Sequence, residues 1–329
     1  MTPGEEHPDR STTVVVPCYN HGRFVRAAVR SALDQADADV RVVVVDDGST
    51  DGRSPRDCDA CRGPRVDVLH QRNAGLPGAR NVGAAGAQSR YVMFLDADDW
   101  LLPGAVATLA AAVEAEERAG RDADLSHAFG QQQLAELGRG VWRVADWDPI
   151  LLMITNTQPV TCLVRRDRFE AVGGFDESMT DGYEVWDMWL RFASRGWRGV
   201  RVRTPVYVWR RHSTDTMVHR AIAKHEQIYR RLIDNHRVLY DRLGHEAAVR
   251  SNVMLRRFDA NWIDETGYPI SHQVLYSVRE SYERMTAVRL HHALRRWIDR
   301  LPRPMAAGVL ASLALMRRFA PPPKPADRV

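Results

Sequence analysis

RYVMFLDADDWLLPGA, residues 90–105, sets an unbroken apolar run directly against Asp96, Asp98 and Asp99. The run does not alternate apolar with polar, so it reads as a strand at 90–95 covered on both faces, the habit of parallel sheets. Carboxylates at such a strand end cost free energy unless something positive offsets them. A divalent cation with oxygen ligands is the simplest partner, and Mg²⁺ and Mn²⁺ are commonly shared between one or two carboxylates and substrate phosphates. The spacing therefore suggests a metal-bridged nucleotide diphosphate. The competing reading is a solvated turn whose Asp caps the next helix.

Outward from this stretch the pattern repeats. TTVVVPCYN (12–20) and VRVVVVDDGSTDG (40–52) are further buried strands running into polar loops, and a third lies near 65–70. Helical spacing occupies 22–35, 77–88 and 105–119. Alternation of strand and helix predicts an α/β fold with a mostly parallel, Rossmann-like central sheet. Ligands of such sheets bind at the carboxyl ends of the strands. Tyr19-Asn20, Asp46-Asp47, Arg72-Asn73 and Asp96 to Asp99 should then converge on one edge. An Asp of the 46–47 pair has the chemistry to accept a hydrogen bond from a nucleobase imide; its plainer reading is a turn. Strand, helix and strand over 120–219 complete this domain. From 220 to 320 the sequence is mostly helical and rich in Arg and His, and 1–11 and the Pro-rich 321–329 read as disordered.

Composition narrows the classes. Of 329 residues, 44% are hydrophobic and 27% charged, with formal net charge +4. The lysines are Lys224 and Lys324; every other basic residue is arginine. That usage reads as a coding bias rather than a nucleic-acid-binding face, so no nucleic acid partner is expected. No apolar run of about 18 residues is present, so no transmembrane span is expected. MTPGEEHPDRST lacks the apolar core of a signal peptide, and a cytoplasmic location is expected.

Several motifs fail. The loop PCYNHGRF holds one glycine, too few for a dinucleotide fingerprint, and no GK[ST] exists for a P-loop. His225-Glu226 and His245-Glu246 begin a zinc-protease pattern, but Tyr229 and Val249 stand where its second His belongs. Asp47 to Gly52 resembles half a calcium loop, with Cys58 in place of the closing Glu. Cys58 and Cys61 form one CxxC. Cys18 and Cys162 are candidates to join it as zinc ligands, but a loop with two free thiols is the expectation.

Taken in order, VVVPCYN, VVVVDDGSTD, RNAGLPGARNVG, YVMFLDADDWLLPGA, VGGFDESM, YEVWDMWLR and WRRHSTDTM resemble the family 2 glycosyltransferases over about residues 12–218. The resemblance implies a GT-A fold with a helical C-terminal region, a nucleotide-sugar donor (a UDP-sugar favoured over a GDP- or dTDP-sugar) and Mn²⁺ or Mg²⁺ as cofactor. It implies that Pro17, Tyr19 and Asn20 hold the nucleoside, that Asp47 contacts the base and that Arg80 faces the nucleotide–phosphate region. Asp96 and Ala97 would lie along the ribose or sugar, with Asp98 and His212 at the metal. Plainer readings are a surface salt bridge for Arg80, core packing for Tyr19 and a structural His212.

Most members invert the anomeric centre and carry the general base in an EDWD segment. Here that segment is Glu184-Val185-Trp186-Asp187, and Val185 cannot accept a proton. Glu184 is the expected substitute, with Asp187 the second candidate; the alternative is a structural Glu184 paired with Arg191. Trp186 and Trp189 read as packing before acceptor platform. Val185 also motivates a rival, a non-catalytic or degenerate nucleotide-sugar-binding scaffold. A nucleotidyltransferase is a second rival, disfavoured by the missing Gly-rich lysine loop. The acceptor is open among small molecules, saccharides, lipid-linked groups and peptides. MAAGVLASLALM (305–316), with arginines flanking it, suits a packed helix or homodimer contact before peripheral binding at the inner membrane face.

Overall fold

The computed structural model describes residues 9–36, 38–136, 140–211, 221 and 224–256. Residues 1–8, His212, the 305–316 stretch and the Pro-rich tail lie outside them.

β1 (Thr12–Cys18), β2 (Val40–Asp46), β3 (Val66–His70) and β4 (Tyr91–Phe94) form the parallel half of the sheet in the order β3-β2-β1-β4. Register is fixed by Val14 lying between Val42 and Met93. The other half is mixed. β8 (Leu163–Arg165) pairs antiparallel with β4 and with β6 (Leu125–Glu136). β9 (Arg198–Arg211) runs parallel to β6 and antiparallel to β5 (Trp100–Leu101), and β7 (Val141–Trp142) pairs with β6.

Strand alternation divides the core into two layers. Val14 and Val16 face a cluster holding Val25, Ala28 and Val29 of α1 (Gly22–Leu33) and Val106, Leu109 and Val113 of α4 (Ala105–Arg118). Val15 faces the opposite cluster. That cluster contains Ala84 of α3 (Gly75–Ala84), Phe169 of α6 (Arg166–Ala171), and Met188, Leu190 and Phe192 of α7 (Glu184–Ser194). A fully buried Val is worth about 1.5–3 kcal/mol, which is why the VVV run decides the sheet centre. Gly83 lets α3 sit directly on β1: a Cβ there would lie 2.3 Å from Val15 Cγ1.

One element departs from the sequence expectation. Residues around the CxxC form a short helix, α2 (Ser54–Asp59), with Asp51 accepting from the Ser54 N–H at its start. Cys58 is fully buried there rather than in an open loop. The helical region begins with α8 (His225–Asn235) and α9 (Arg237–Arg256), which pack Ile228, Leu232 and Leu239 into the second cluster, alongside α5 (Pro149–Ile154) and α7. No described helix is long and apolar enough to cross a membrane.

Candidate active site

The carboxyl ends of β1, β2 and β4 are neighbours, and the expected residues gather there. Pro17 is buried in β1 opposite Val45. Asn20 holds a left-handed φ of 57°, a conformation Asn tolerates better than most residues. Its N–H donates to Ser49 Oγ at 3.0 Å, and its Oδ1 accepts from the N–H groups of Thr50 and Asp51. The first and second strand loops are thereby knitted together. This turn leaves Tyr19 47% exposed, so its ring is a surface platform and not part of the core. Asp47 Oδ1 accepts from Gln71 Nε2 at 2.7 Å and from the Ala74 N–H at 2.8 Å.

After β4, Asp96 keeps a third of its side chain exposed while Oδ1 accepts from Arg80. The Ala97 methyl is packed into the first core cluster, which leaves only its main chain at the strand-end edge. Asp98 lies 3.7 Å from His21 Nδ1. Asp99 is buried and accepts the Arg210 N–H at 2.8 Å, while Arg210 Nε donates to the Asp98 carbonyl. Burial, followed by the charges of Asp96 and Asp98, pushes the Asp99 carboxyl well above its usual range. Arg210 offsets only part of this. Among the described residues no three His, Cys, Asp or Glu side chains close into a complete cation cage. Asp98 is the carboxylate of the cluster that could hold an ion such as Mg²⁺ or Mn²⁺, whose other ligands would come from substrate and water. His212 lies outside the described residues.

Arg80 is the joint of the site. It is 1% exposed. Nη1 donates to Glu184 Oε1 at 2.6 Å, Nη2 donates to Asp96 Oδ1 at 2.8 Å, and the guanidinium carbon lies 5.4 Å from the Phe175 ring centre. Burial pulls its pKa down, but the carboxylates of Asp96 and Glu184 more than restore it. This corrects the plainer expectation of a surface salt bridge: the bridge is buried. Arg80 reaches the strand-end edge through Asp96. Its neighbour Asn81 fixes the VGGFDESM loop, accepting from the Phe175 N–H and donating to the Phe175 carbonyl.

The EVWD segment separates its two carboxylates. Glu184 opens α7 after Tyr183, a non-glycine residue at φ 66° whose hydroxyl bonds His225 Nδ1 at 2.9 Å. Glu184 Oε2 accepts no hydrogen bond among the described residues. Asp187 is turned into the protein. Oδ2 accepts from Arg191 Nε at 2.9 Å and Oδ1 pairs with His236 Nε2 at 2.8 Å. Burial raises its pKa, but the His236 hydrogen bond and the Arg191 charge outweigh that and hold it below the usual range. Asp187 is therefore a tie to α9's start, and the Arg191 expected beside Glu184 belongs to Asp187 instead. Trp186 and Trp189 are buried, with Trp186 Nε1 donating to the Leu152 carbonyl, so both are packing residues.

Sequence reasoning passed over His21 and Arg210. The signals were present: His21 directly follows the Tyr19-Asn20 loop, and Arg210 sits in the same WRR segment as His212. The cysteines divide between the two cores, Cys18 with Cys58 in one and Cys162 in the other, so they do not meet as four zinc ligands.

The family profile described as Glycosyl transferase family 2 matches residues 13–170. Glycosyltransferase GlyG of Streptococcus pneumoniae is 39% identical over 100 residues, covering 30% of this chain and 33% of the relative. Glycosyltransferase GlyA of the same organism is 37% identical over 106 residues, covering 31% of this chain and 15% of the relative. The matches thus span a third or less of these curated relatives. Among solved structures, S. aureus TarS 1–349 superposes with TM-score 0.53 at 16% identity, covering 88% of this chain and 78% of that one. The same protein in complex with UDP-GlcNAc gives 0.52 at 21% identity over 63% and 60% of the two chains. These likenesses agree with the sheet order in giving a GT-A fold, and residues 13–170 are similar to the family 2 glycosyltransferases.

Proposed function

We propose that this protein transfers a sugar from a nucleotide-diphosphate donor, with a UDP-sugar as the favoured donor, to an acceptor hydroxyl with inversion. The observation that carries the reading is the convergence of Tyr19, Asp47, Asp96 and Asp98 at three adjacent parallel strand ends, with Glu184 drawn to Asp96 through Arg80. Tyr19 offers a face to the base and Asp47 an acceptor for its imide. A Mn²⁺ or Mg²⁺ ion at Asp98 would supply charge neutralisation for the departing diphosphate. As the bond from the anomeric carbon to the diphosphate oxygen breaks, the acceptor oxygen bonds to that carbon from the opposite face. Glu184 takes the acceptor proton on Oε2. Arg80 fixes this carboxylate and prevents its rotation away from Asp96. The UDP-GlcNAc complex of TarS supports a UDP-sugar donor.

The test is release of UDP from UDP-GlcNAc, with water standing in for the acceptor. Glu184→Gln should lower the rate by roughly 10²–10⁴-fold while stabilisation by UDP persists. Release at the parental rate would remove Glu184 from the base role. Val185 favours one rival, a degenerate site that binds the donor without turnover. That rival predicts UDP binding with no release, and a gain of activity in Val185→Asp.

A further inference from the structure

A groove of about 660 Å³ opens along the outer face of α1, lined by Arg23, Arg26, Arg30, Ser31, Trp100 and Arg210 among others. Arg23, Arg26 and Arg30 stand at i, i+3 and i+7, one stripe of the helix spanning roughly 10 Å along its axis. All three are exposed. None has a carboxylate partner among the described residues, whereas Arg53, Arg62, Arg121 and Arg230 each hold one. Asp34, the carboxylate on the groove wall, forms no ion pair with them.

This arrangement is unfavourable for the helix itself. Like charges at i, i+3 repel, and Arg23 sits in a first turn that holds no acidic residue, at the positive end of the helix dipole. A solvated helix face would intersperse acids, as α4 does with Glu116 and Glu117 beside Arg118. The groove also shares Arg210 with the site. Arg210, which lines it, donates to the Asp98 carbonyl and stacks 5.0 Å from the Trp100 ring centre. His21, which precedes α1, lies 3.7 Å from Asp98.

We infer that this groove binds the phosphate groups of an extended, phosphodiester-bearing acceptor and presents its hydroxyl at the Asp98 edge. The inference rests on the glycosyltransferase reading for the word acceptor; the anion site itself does not. Guanidinium groups pair bidentately with phosphate oxygens, and three in a row outside the donor site match a chain bearing several phosphates rather than one. A concave groove, with Leu101 buried and Trp100 stacked against Arg210, suits an extended chain better than a flat lipid surface.

The test uses the full chain with short-chain inorganic polyphosphate as probe, in the presence of saturating UDP and Mn²⁺ to fill the donor edge. The triple variant R23Q/R26Q/R30Q should weaken polyphosphate binding at least tenfold and flatten its salt dependence. The charge-matched control R41Q/R56Q/R242Q, also of exposed arginines, should change it less than twofold. Arg210 is left intact because it braces Asp98. Equal weakening in both triples would reduce the effect to net charge and overturn the site. So would unchanged binding in the groove triple, or binding only to vesicles of phosphatidylglycerol and phosphatidylcholine without binding to polyphosphate. UDP stabilisation that persists in the groove triple while polyphosphate binding is lost supports the groove; absence of UDP stabilisation in the parent would instead sink the glycosyltransferase reading.

Discussion

Arg80 and Glu184 lie 104 residues apart in sequence and meet at 2.6 Å inside the protein, with Asp96 on the other arm of the same guanidinium. One buried side chain therefore links the strand-end carboxylates to the start of α7. Removing it leaves two carboxylates facing each other without a counter-charge. Arg80→Met should destabilise the fold by about 3–5 kcal/mol, read as a lower denaturant midpoint. Arg80→Lys should recover only part of this, because a point charge cannot span both carboxylates as the fork does. A midpoint for Arg80→Met equal to the parent's would show that the bridge carries no stability.

Asp98 should behave in the opposite way. Its charge is one cause of the raised Asp99 pKa, so Asp98→Asn relieves repulsion in the cluster. Melting temperature should hold or rise by about 1–3 °C, while any Mn²⁺-dependent stabilisation by a nucleotide disappears. A variant that melts lower but keeps the metal-dependent shift would contradict the role given to Asp98.

Two glycines should be intolerant of a methyl group. Gly83→Ala drives a Cβ to 2.3 Å from Val15 Cγ1 and should cost about 1–3 kcal/mol. Gly174→Ala meets Asn81 Oδ1 at 2.5 Å with φ at +73°, so it should add backbone strain of about 1 kcal/mol and loosen the loop beneath Arg80. Thermal unfolding of the two variants beside Gly86→Ala, where a Cβ meets nothing within 4 Å, checks this.

Two histidines should titrate in opposite directions. Hydrogen bonds to Asp59 and Asp46 raise the His70 pKa. Its contribution to stability is thus fully present below about pH 6.5 and lost as pH rises through the raised value; its part exposure keeps the effect small. Burial lowers the His127 pKa to about 3. The unfolded chain takes up that proton first, so stability falls as pH drops below about 6.5, with a slope of up to about 1.4 kcal/mol per pH unit. Urea midpoints from pH 5 to 8 should show His127→Asn flattening the acid limb and His70→Asn flattening the alkaline one. Unaltered limbs would refute both assignments.

The parallel half of the sheet was legible because Val14 to Val16, Val42 to Val45 and Tyr91 to Phe94 are continuous apolar runs whose burial leaves no alternative. The polar cluster at the strand ends followed from them, since Tyr19, Asp47 and Asp96 to Asp99 lie immediately after those strands. The long strand β6 was not legible: LSHAFGQQQLAE mixes polar and small residues, and its pairing with β9 is broken by bulges. The different partners of Glu184 and Asp187 were equally hidden. Both open the same helix, and only partners distant in sequence, Arg80 for one and His236 for the other, tell them apart.

The central claim is a nucleotide-sugar site at the ends of β1, β2 and β4. Thermal shift with UDP, GDP, dTDP and CDP, each with and without Mn²⁺, tests it most directly. Ligand at a hundredfold excess over Kd stabilises the native state by about 2.7 kcal/mol. The account predicts a shift with UDP that requires Mn²⁺ and is lost in Asp98→Asn. No shift with any of the four nucleotides would contradict it.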